Sequence, residues 1–298
     1  MKAYEELTYL GRVRRMRQLA RVALADYGLA GARFTFVRQA GNTLFRVYAP
    51  DHAPATTAKD LFWEGQYLLR MHQPDYQTPD AIELELAWLA AMRRDADLPV
   101  PEPVPTLDGR LLTQVSSEGV PGVRYCSLLR WLKGRYITRG IGPHHYRAQG
   151  RLMARMHEHA ARWQPPPGLS KRHWDWNGFF QDVDGTHLTV REIWPLIPPG
   201  YHDPFQAVTR EVGQVMEEWG TGPDVYGLIH ADLGIDANLL FWHGEARAID
   251  FDDSGFGYWM YDLAIALEHC REDAAEYRQS RDALLGGYAQ VRSLPRVQ

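Results

Sequence analysis

Cysteine is nearly missing: a chain of 298 residues carries two, Cys126 and Cys270, far apart. That spacing offers no disulfide framework and points to a reducing interior, with the cytoplasm as the expected location. Lysine is scarce as well, with Lys2, Lys59, Lys133 and Lys171 alone, so arginine supplies most of the positive charge. Acids and bases nearly balance at a formal net charge of −4. No strongly basic face is therefore expected, and nucleic acid is not an expected partner. No apolar run approaches the roughly 20 residues needed to cross a bilayer, so no membrane partner is expected either. The opening "MKAYEELTYLGRVRRMRQLA" has early acids and no apolar core, unlike a secretory leader. Internal repeats and low-complexity tracts are lacking. The length suits one large or two modest domains, and monomer and homodimer both stay open.

What is present is concentrated near the C-terminus. Ile229-His230-Ala231-Asp232 leads through a short loop to Asn238, and Ile249-Asp250-Phe251-Asp252 follows. Apolar stretches before each acid read as short buried strands that deliver polar residues at their ends. An acid, an amide and a second acid in that order suit two tasks, holding a hydroxyl and holding the metal ions of a nucleoside triphosphate. Phosphoryl transfer is mostly positioning plus charge stabilisation by a divalent metal. Magnesium takes hard oxygen ligands, which Asp and Asn side chains provide.

The run "HADLGIDANLLF … AIDFDDSGFGYWMYDLA" resembles the catalytic core of the aminoglycoside phosphotransferase, choline kinase and type II homoserine kinase superfamily, small-molecule relatives of protein kinases. The resemblance implies an α+β, two-lobed protein-kinase-like fold with an antiparallel-sheet N-lobe and a mainly helical C-lobe. It implies ATP and Mg2+ as cofactors and a small-molecule hydroxyl as acceptor. Asp232 would orient or deprotonate that hydroxyl, with Asn238 and Asp250 as metal ligands and Asp252 as a further metal or loop contact. His230 and Asp262 would support the loop. Two departures stand out. Ala231 replaces the family's glycine, a small change by size, and the Asp232–Asn238 loop is one residue longer than usual. Asp236, inside that loop, therefore competes with Asn238 as the ligand.

The first 133 residues read as the N-lobe. Arg15 to Tyr27 has helical spacing. Arg33–Arg38 and Leu44–Ala49 alternate as strands around a turn at Gln39–Thr43. In the family such a hairpin covers the ATP phosphates, which makes Gly41, Asn42 and Thr43 candidate phosphate contacts. Gln66–His72 reads as a third strand. Arg70 stands where the superfamily presents a phosphate-binding lysine, Lys59 being the nearest lysine. A helix from Thr78-Pro79-Asp80 through Arg94 carries Glu85 toward Arg70, with Glu83 as the rival. Arg124–Leu132 is a strand that the family uses as hinge, so Leu129, Arg130, Trp131 and Leu132 form the candidate adenine wall.

Residues 134–298 read as the C-lobe. His157 and His159 flank Glu158 on a helix, diverge by their spacing, and read as helix-face residues rather than metal ligands. Trp174, Asp175, Trp176 and Trp219, with Glu268 downstream, are candidates for an acceptor pocket in which aromatics and acids hold an ammonium. The expected function is ATP-dependent transfer of a γ-phosphoryl group to a small-molecule hydroxyl. A non-catalytic nucleotide-binding regulator and a serine/threonine kinase of the stress-response type remain alternatives. A metal-dependent hydrolase would need neither hairpin nor clamp.

Overall fold

In the computed structural model, which describes residues 3–52, 60–180 and 190–294, the chain forms two compact units. One comprises residues 1–94 and 99–133, the other residues 95–98 and 134–298.

The first unit opens with helix α1 (Tyr9–Asp26). It starts earlier than its apolar spacing predicts because Thr8 caps it, the hydroxyl accepting from the Gly11 N–H at 3.2 Å. Strands β1 (Arg33–Ala40) and β2 (Asn42–Tyr48) pair antiparallel from Arg33↔Tyr48 to Ala40↔Asn42. The turn is tighter than expected, since Gly41 alone makes it at φ +72°, a backbone that glycine adopts without strain. Then follow β3 (Phe62–Met71), helix α2 (Pro79–Ala96), β4 (Pro103–Val104), β5 (Leu112–Val115) and β6 (Arg124–Leu132). The sheet order is β1-β2-β3-β6-β4, with β5 also on β6, and every pairing is antiparallel. Alternation along β2 buries Phe45 and Val47, which join Leu69, Met71 and Leu128 under the Leu19–Leu24 face of α1.

The second unit holds α3 (Pro143–Ala160), β7 (His173–Trp174), α4 (Trp176–Phe180), α5 (Val190–Ile193) and α6 (His202–Trp219). They are followed by β8 (Tyr226–Ile229), β9 (Leu239–Trp242), β10 (Glu245–Ala248), β11 (Gly255–Tyr258), α7 (Trp259–Ile265) and α8 (Ala274–Tyr288). β9 and β10 form a hairpin, and β11 lies between β7 and β8. α3 and α8 pack closely because Gly150 has no side chain: a Cβ there would lie 2.0 Å from the Leu284 carbonyl oxygen. Ile229, at the end of β8, pairs with Gly255, at the start of β11, and the Ile249 N–H, just after β10, donates to the Asn238 carbonyl, just before β9, at 3.0 Å; the loops released there carry the polar residues of interest.

Candidate active site

The loop after β8 is held by its own hydrogen bonds. His230 is fully buried, its Nε2 donating to the Ile249 carbonyl at 2.9 Å and its Nδ1 accepting from the Asp232 N–H at 3.3 Å. Those two bonds select one ring tautomer, and the ring packs on Phe251 at 4.5 Å. Asn238 donates Nδ2 to both the Asp232 carbonyl, at 2.8 Å, and the Asp232 carboxylate Oδ2, at 2.7 Å. Turns at Gly234 absorb the extra residue: Gly234 N–H reaches the Asp232 carbonyl at 3.0 Å and Asn238 N–H reaches the Gly234 carbonyl at 3.0 Å. Of the two residues competing in that loop, Asn238 is brought against Asp232 and Asp236 stays exposed. The Asp232 residue is open to solvent, yet its neighbours displace part of the water around its carboxylate. That desolvation, with Asp253 and Asp236 nearby, raises its pKa above the ordinary carboxylate value against the opposing pull of His230 and Asn238.

Asp262, at the start of α7, is fully buried and braces the loop from behind. Its Oδ1 accepts from the Ala231 N–H at 2.7 Å, and its Oδ2 from the His230 N–H at 3.3 Å and His157 Nε2 at 2.9 Å. Burial alone would raise its pKa, but the bonds from His157 and Ala231 and the His230 ring outweigh it, and the net shift is downward. This bracing explains Ala231. Its φ is +67°, so the residue in the glycine position sits in left-handed backbone, which costs an L-residue about 1–2 kcal/mol. The Ala-for-Gly change is thus conformationally larger than side-chain size suggests. Asp250 also has positive φ, +64°, a region that aspartate tolerates better than most residues.

His157 and His159 diverge on α3 as their spacing predicts, and His157 lies on its buried face: it is 0% exposed and bridges Asp262 to the Tyr288 hydroxyl, 2.9 Å from Nδ1. The α8 helix packs over that side of α3, which turns the residue inward. His159, two positions on, is half-buried beside Asp95 at 3.4 Å.

In the first unit, Arg70 and Glu85 form a buried ion pair between β3 and α2. Glu83 is exposed, and Lys59 lies outside the described residues. At the hairpin tip Gly41 is exposed, Thr43 is buried, and the Asn42 side-chain oxygen accepts from the Gln73 N–H at 2.9 Å. The candidate adenine wall is split by strand alternation. Arg130 and Leu132 point to one face, where Arg130 pairs with Glu102 at 3.0 Å and covers Phe62 at 4.2 Å. Leu129 and Trp131 point to the other, where the Arg46 guanidinium lies 4.4 Å from the Trp131 ring centroid.

The acceptor candidates scatter. Trp174 donates Nε1 to the Asp253 carbonyl at 2.8 Å and stacks on Tyr261 at 5.7 Å. Tyr261 stands near Asp262, Asp253 and Asp232, and burial plus those acids pushes its pKa up to about 12. Asp175 caps α4 through the Gly178 N–H at 3.0 Å and accepts from the Tyr226 hydroxyl at 3.2 Å. Trp176 donates to the Thr209 carbonyl at 3.1 Å, Trp219 packs on Tyr258 at 6.0 Å, and Glu268 is exposed and paired with Arg271 at 3.2 Å. Trp174 therefore stands closest in the chain of contacts to Asp232. Trp176, Trp219 and Glu268 have structural partners of their own.

The model of the phosphotransferase enzyme family matches residues 55–294. The chain belongs to that family. It is accordingly a phosphotransferase. The solved structure of a microcompartment-associated aminopropanol kinase is 30% identical, with a TM-score of 0.68 over 93% of this chain and 81% of that one. A homoserine kinase of Sinorhizobium medicae is 27% identical over 238 residues, 77% of this chain and 65% of the relative. An amicoumacin kinase of Bacillus subtilis is 24% identical over 84% of this chain and 67% of its own length. The phosphotransferase chain thus spans about two thirds of those two curated relatives.

One residue of the phosphotransferase escaped the sequence reading altogether. Lys171, before β7, is buried and donates Nζ to the carbonyls of Phe251 at 3.1 Å and Asp252 at 3.0 Å and to Ser254 Oγ at 2.7 Å. It pins the loop that follows Asp250. Its only sequence signal was rarity: a lone lysine in a segment without a motif. Among the described residues no three His, Cys, Asp or Glu side chains cluster to hold a metal by themselves. A divalent ion at Asn238 and Asp250 would then complete its shell with phosphate and water oxygens, the mode magnesium favours. Because Asn238 turns its Nδ2 to Asp232, its amide oxygen is the atom left for a cation, and the donor set is all oxygen. Lys171→Met is expected to lower the apparent affinity for the activating divalent cation by about 10–100-fold, as loss of a supporting contact does elsewhere. Cation titrations of steady-state activity that coincide for variant and wild type would refute that role.

Proposed function

We propose that this phosphotransferase uses Mg2+-ATP to phosphorylate the hydroxyl of a small amine-bearing alcohol. The observation that carries the reading is the setting of Asp232: a carboxylate held by Asn238, with Asp253 and the stacked rings of Trp174 and Tyr261 alongside. Asp232 accepts the hydroxyl proton as the oxygen attacks, and Asn238 fixes the orientation of its carboxylate. Asn238 and Asp250, with Asp252 beside them, would hold the magnesium ion, which would supply charge neutralisation at the phosphates. Arg70, aligned by Glu85, supplies the phosphate cation in place of lysine; its planar fork suits phosphate oxygens and cannot lose its charge. The Arg172 guanidinium lies over the Trp174 ring at 4.9 Å and beside Asp253 at 3.6 Å, so this aromatic and acidic surface already holds one cation, and an acceptor ammonium takes that place or the Tyr261 edge beside it.

The test is ADP release with a panel of amino alcohols, homoserine, aminoglycosides and neutral polyols. Turnover confined to amine-bearing alcohols is the expected result. Phosphorylation of neutral polyols alone, or of protein serine in place of small molecules, would overturn the acceptor class. Nucleotide binding without turnover on any acceptor would favour the regulator.

A further inference from the structure

At the outer edge of the sheet, α1 and β1 border an open hollow of about 580 Å3 lined by Arg17, Arg21, Arg33, Phe34, Thr35 and Tyr48, with Arg21, Arg33 and Thr35 exposed. Three guanidiniums share it. No carboxylate pairs with any of them among the described residues. Other arginines of the same unit are committed: Arg46 to Gln66 at 2.9 Å, Arg124 to the Pro121 carbonyl at 2.7 Å, and Arg130 to Glu102 at 3.0 Å. The charge is built in along α1, which carries Arg12, Arg14, Arg15, Arg17 and Arg21 with no acid before Asp26. In a chain of net charge −4, that is a local reversal of sign. Like charges gathered without counter-charge repel one another, and a bound anion relieves the repulsion.

We propose that this hollow binds a small phosphate-bearing anion with at least two negative charges, at a site separate from the tip of the β1–β2 hairpin. The guanidinium is a planar fork that meets two phosphate oxygens at once. β1 is the edge strand, so its outer backbone N–H groups are not used by a neighbouring strand. Phe34, already under the Arg21 guanidinium at 5.9 Å, and Tyr48 give an apolar rim for the rest of the ligand. The volume falls in the range of small-molecule sites, about 300–1,000 Å3, rather than that of an extended track for a polymer. Separation from the phosphate-facing tip follows from register: Arg33 pairs with Tyr48 at the end of the hairpin opposite Gly41. At about 3.3 Å per residue the two ends lie about 20 Å apart.

The experiment is a calorimetric titration of inorganic pyrophosphate into the full chain, with divalent metal chelated and ADP saturating so that the nucleotide site is filled. One saturable site is expected, weakened roughly tenfold or more in Arg21→Gln and in Arg33→Gln, as loss of a charged hydrogen bond implies. Arg14→Gln, on the same helix but outside the hollow, should bind pyrophosphate like the wild type, and ADP affinity should be the same in all four proteins. Absence of saturable binding overturns the site. Pyrophosphate binding seen in a parallel titration without ADP but absent when ADP saturates reassigns it to the nucleotide site and overturns it too. Equal weakening in Arg14→Gln reduces it to diffuse charge. Tighter binding of a short single-stranded RNA through the same arginines would replace the small anion with a polymer.

Discussion

Asp232→Asn is expected to lower kcat by roughly 10²–10⁴, the range in which a positioned general base contributes. The asparagine keeps the size of the side chain and still lies beside Asn238, so loop shape and nucleotide affinity should persist. What disappears is the acceptor for the hydroxyl proton. The position is suited to that task, since partial desolvation and the nearby Asp253 and Asp236 make the carboxylate a better base than an ordinary aspartate. Single-turnover measurements with saturating ATP separate the chemical step from binding. If the variant turns over at the wild-type rate, Asp232 is not the base. If ADP affinity collapses with the rate, the residue acts through the nucleotide rather than the acceptor.

Asp262 should show the largest effect on stability. Its side chain is fully buried and accepts from His157, His230 and Ala231 at once. Removing one member of such a buried set costs about 3–5 kcal/mol because the partners are left uncompensated. Asp262→Ala is therefore expected to unfold at markedly lower urea concentration. Asp262→Asn is the milder probe: its NH2 group faces the His157 donor or the Ala231 N–H, and the loop shifts. A displacement of about 1 Å at a reacting group lowers the rate by about 10². Folding near wild-type stability with normal kcat would remove Asp262 from its positioning role. The pH dependence has a definite sign. The folded-state pKa of Asp262 is lowered, so its contribution is fully present above the ordinary carboxylate range. It is lost as pH falls through the depressed folded value. Acid unfolding of the wild type should therefore be less steep in Asp262→Asn.

Much of the site was legible because it is local. His230, Asp232, Asn238, Asp250 and Asp262 lie within 33 consecutive positions, the first four in loops at strand ends whose apolar lead-ins mark them and Asp262 in the first turn of α7. Arg70 was legible from the position that the resemblance gives it and Glu85 from helical spacing, and the two meet as an ion pair. His157 and Lys171 were not. They reach the site from α3 and from the segment before β7, 105 residues from Asp262 and 80 from Phe251. A helical histidine or a lone lysine looks the same in sequence whether it faces water or a buried carboxylate.

The order of acid, amide and acid and the apolar alternation of the strands are properties of the chain itself, and they pointed to the chemistry; the fold class followed from the resemblance of the catalytic run to the small-molecule kinases. Tertiary structure decided which of Asn238 and Asp236 meets Asp232, which face of β6 carries Trp131, and that Ala231 rests in left-handed backbone. Those outcomes depend on what packs against each residue, and packing partners distant in sequence leave no periodic trace in it.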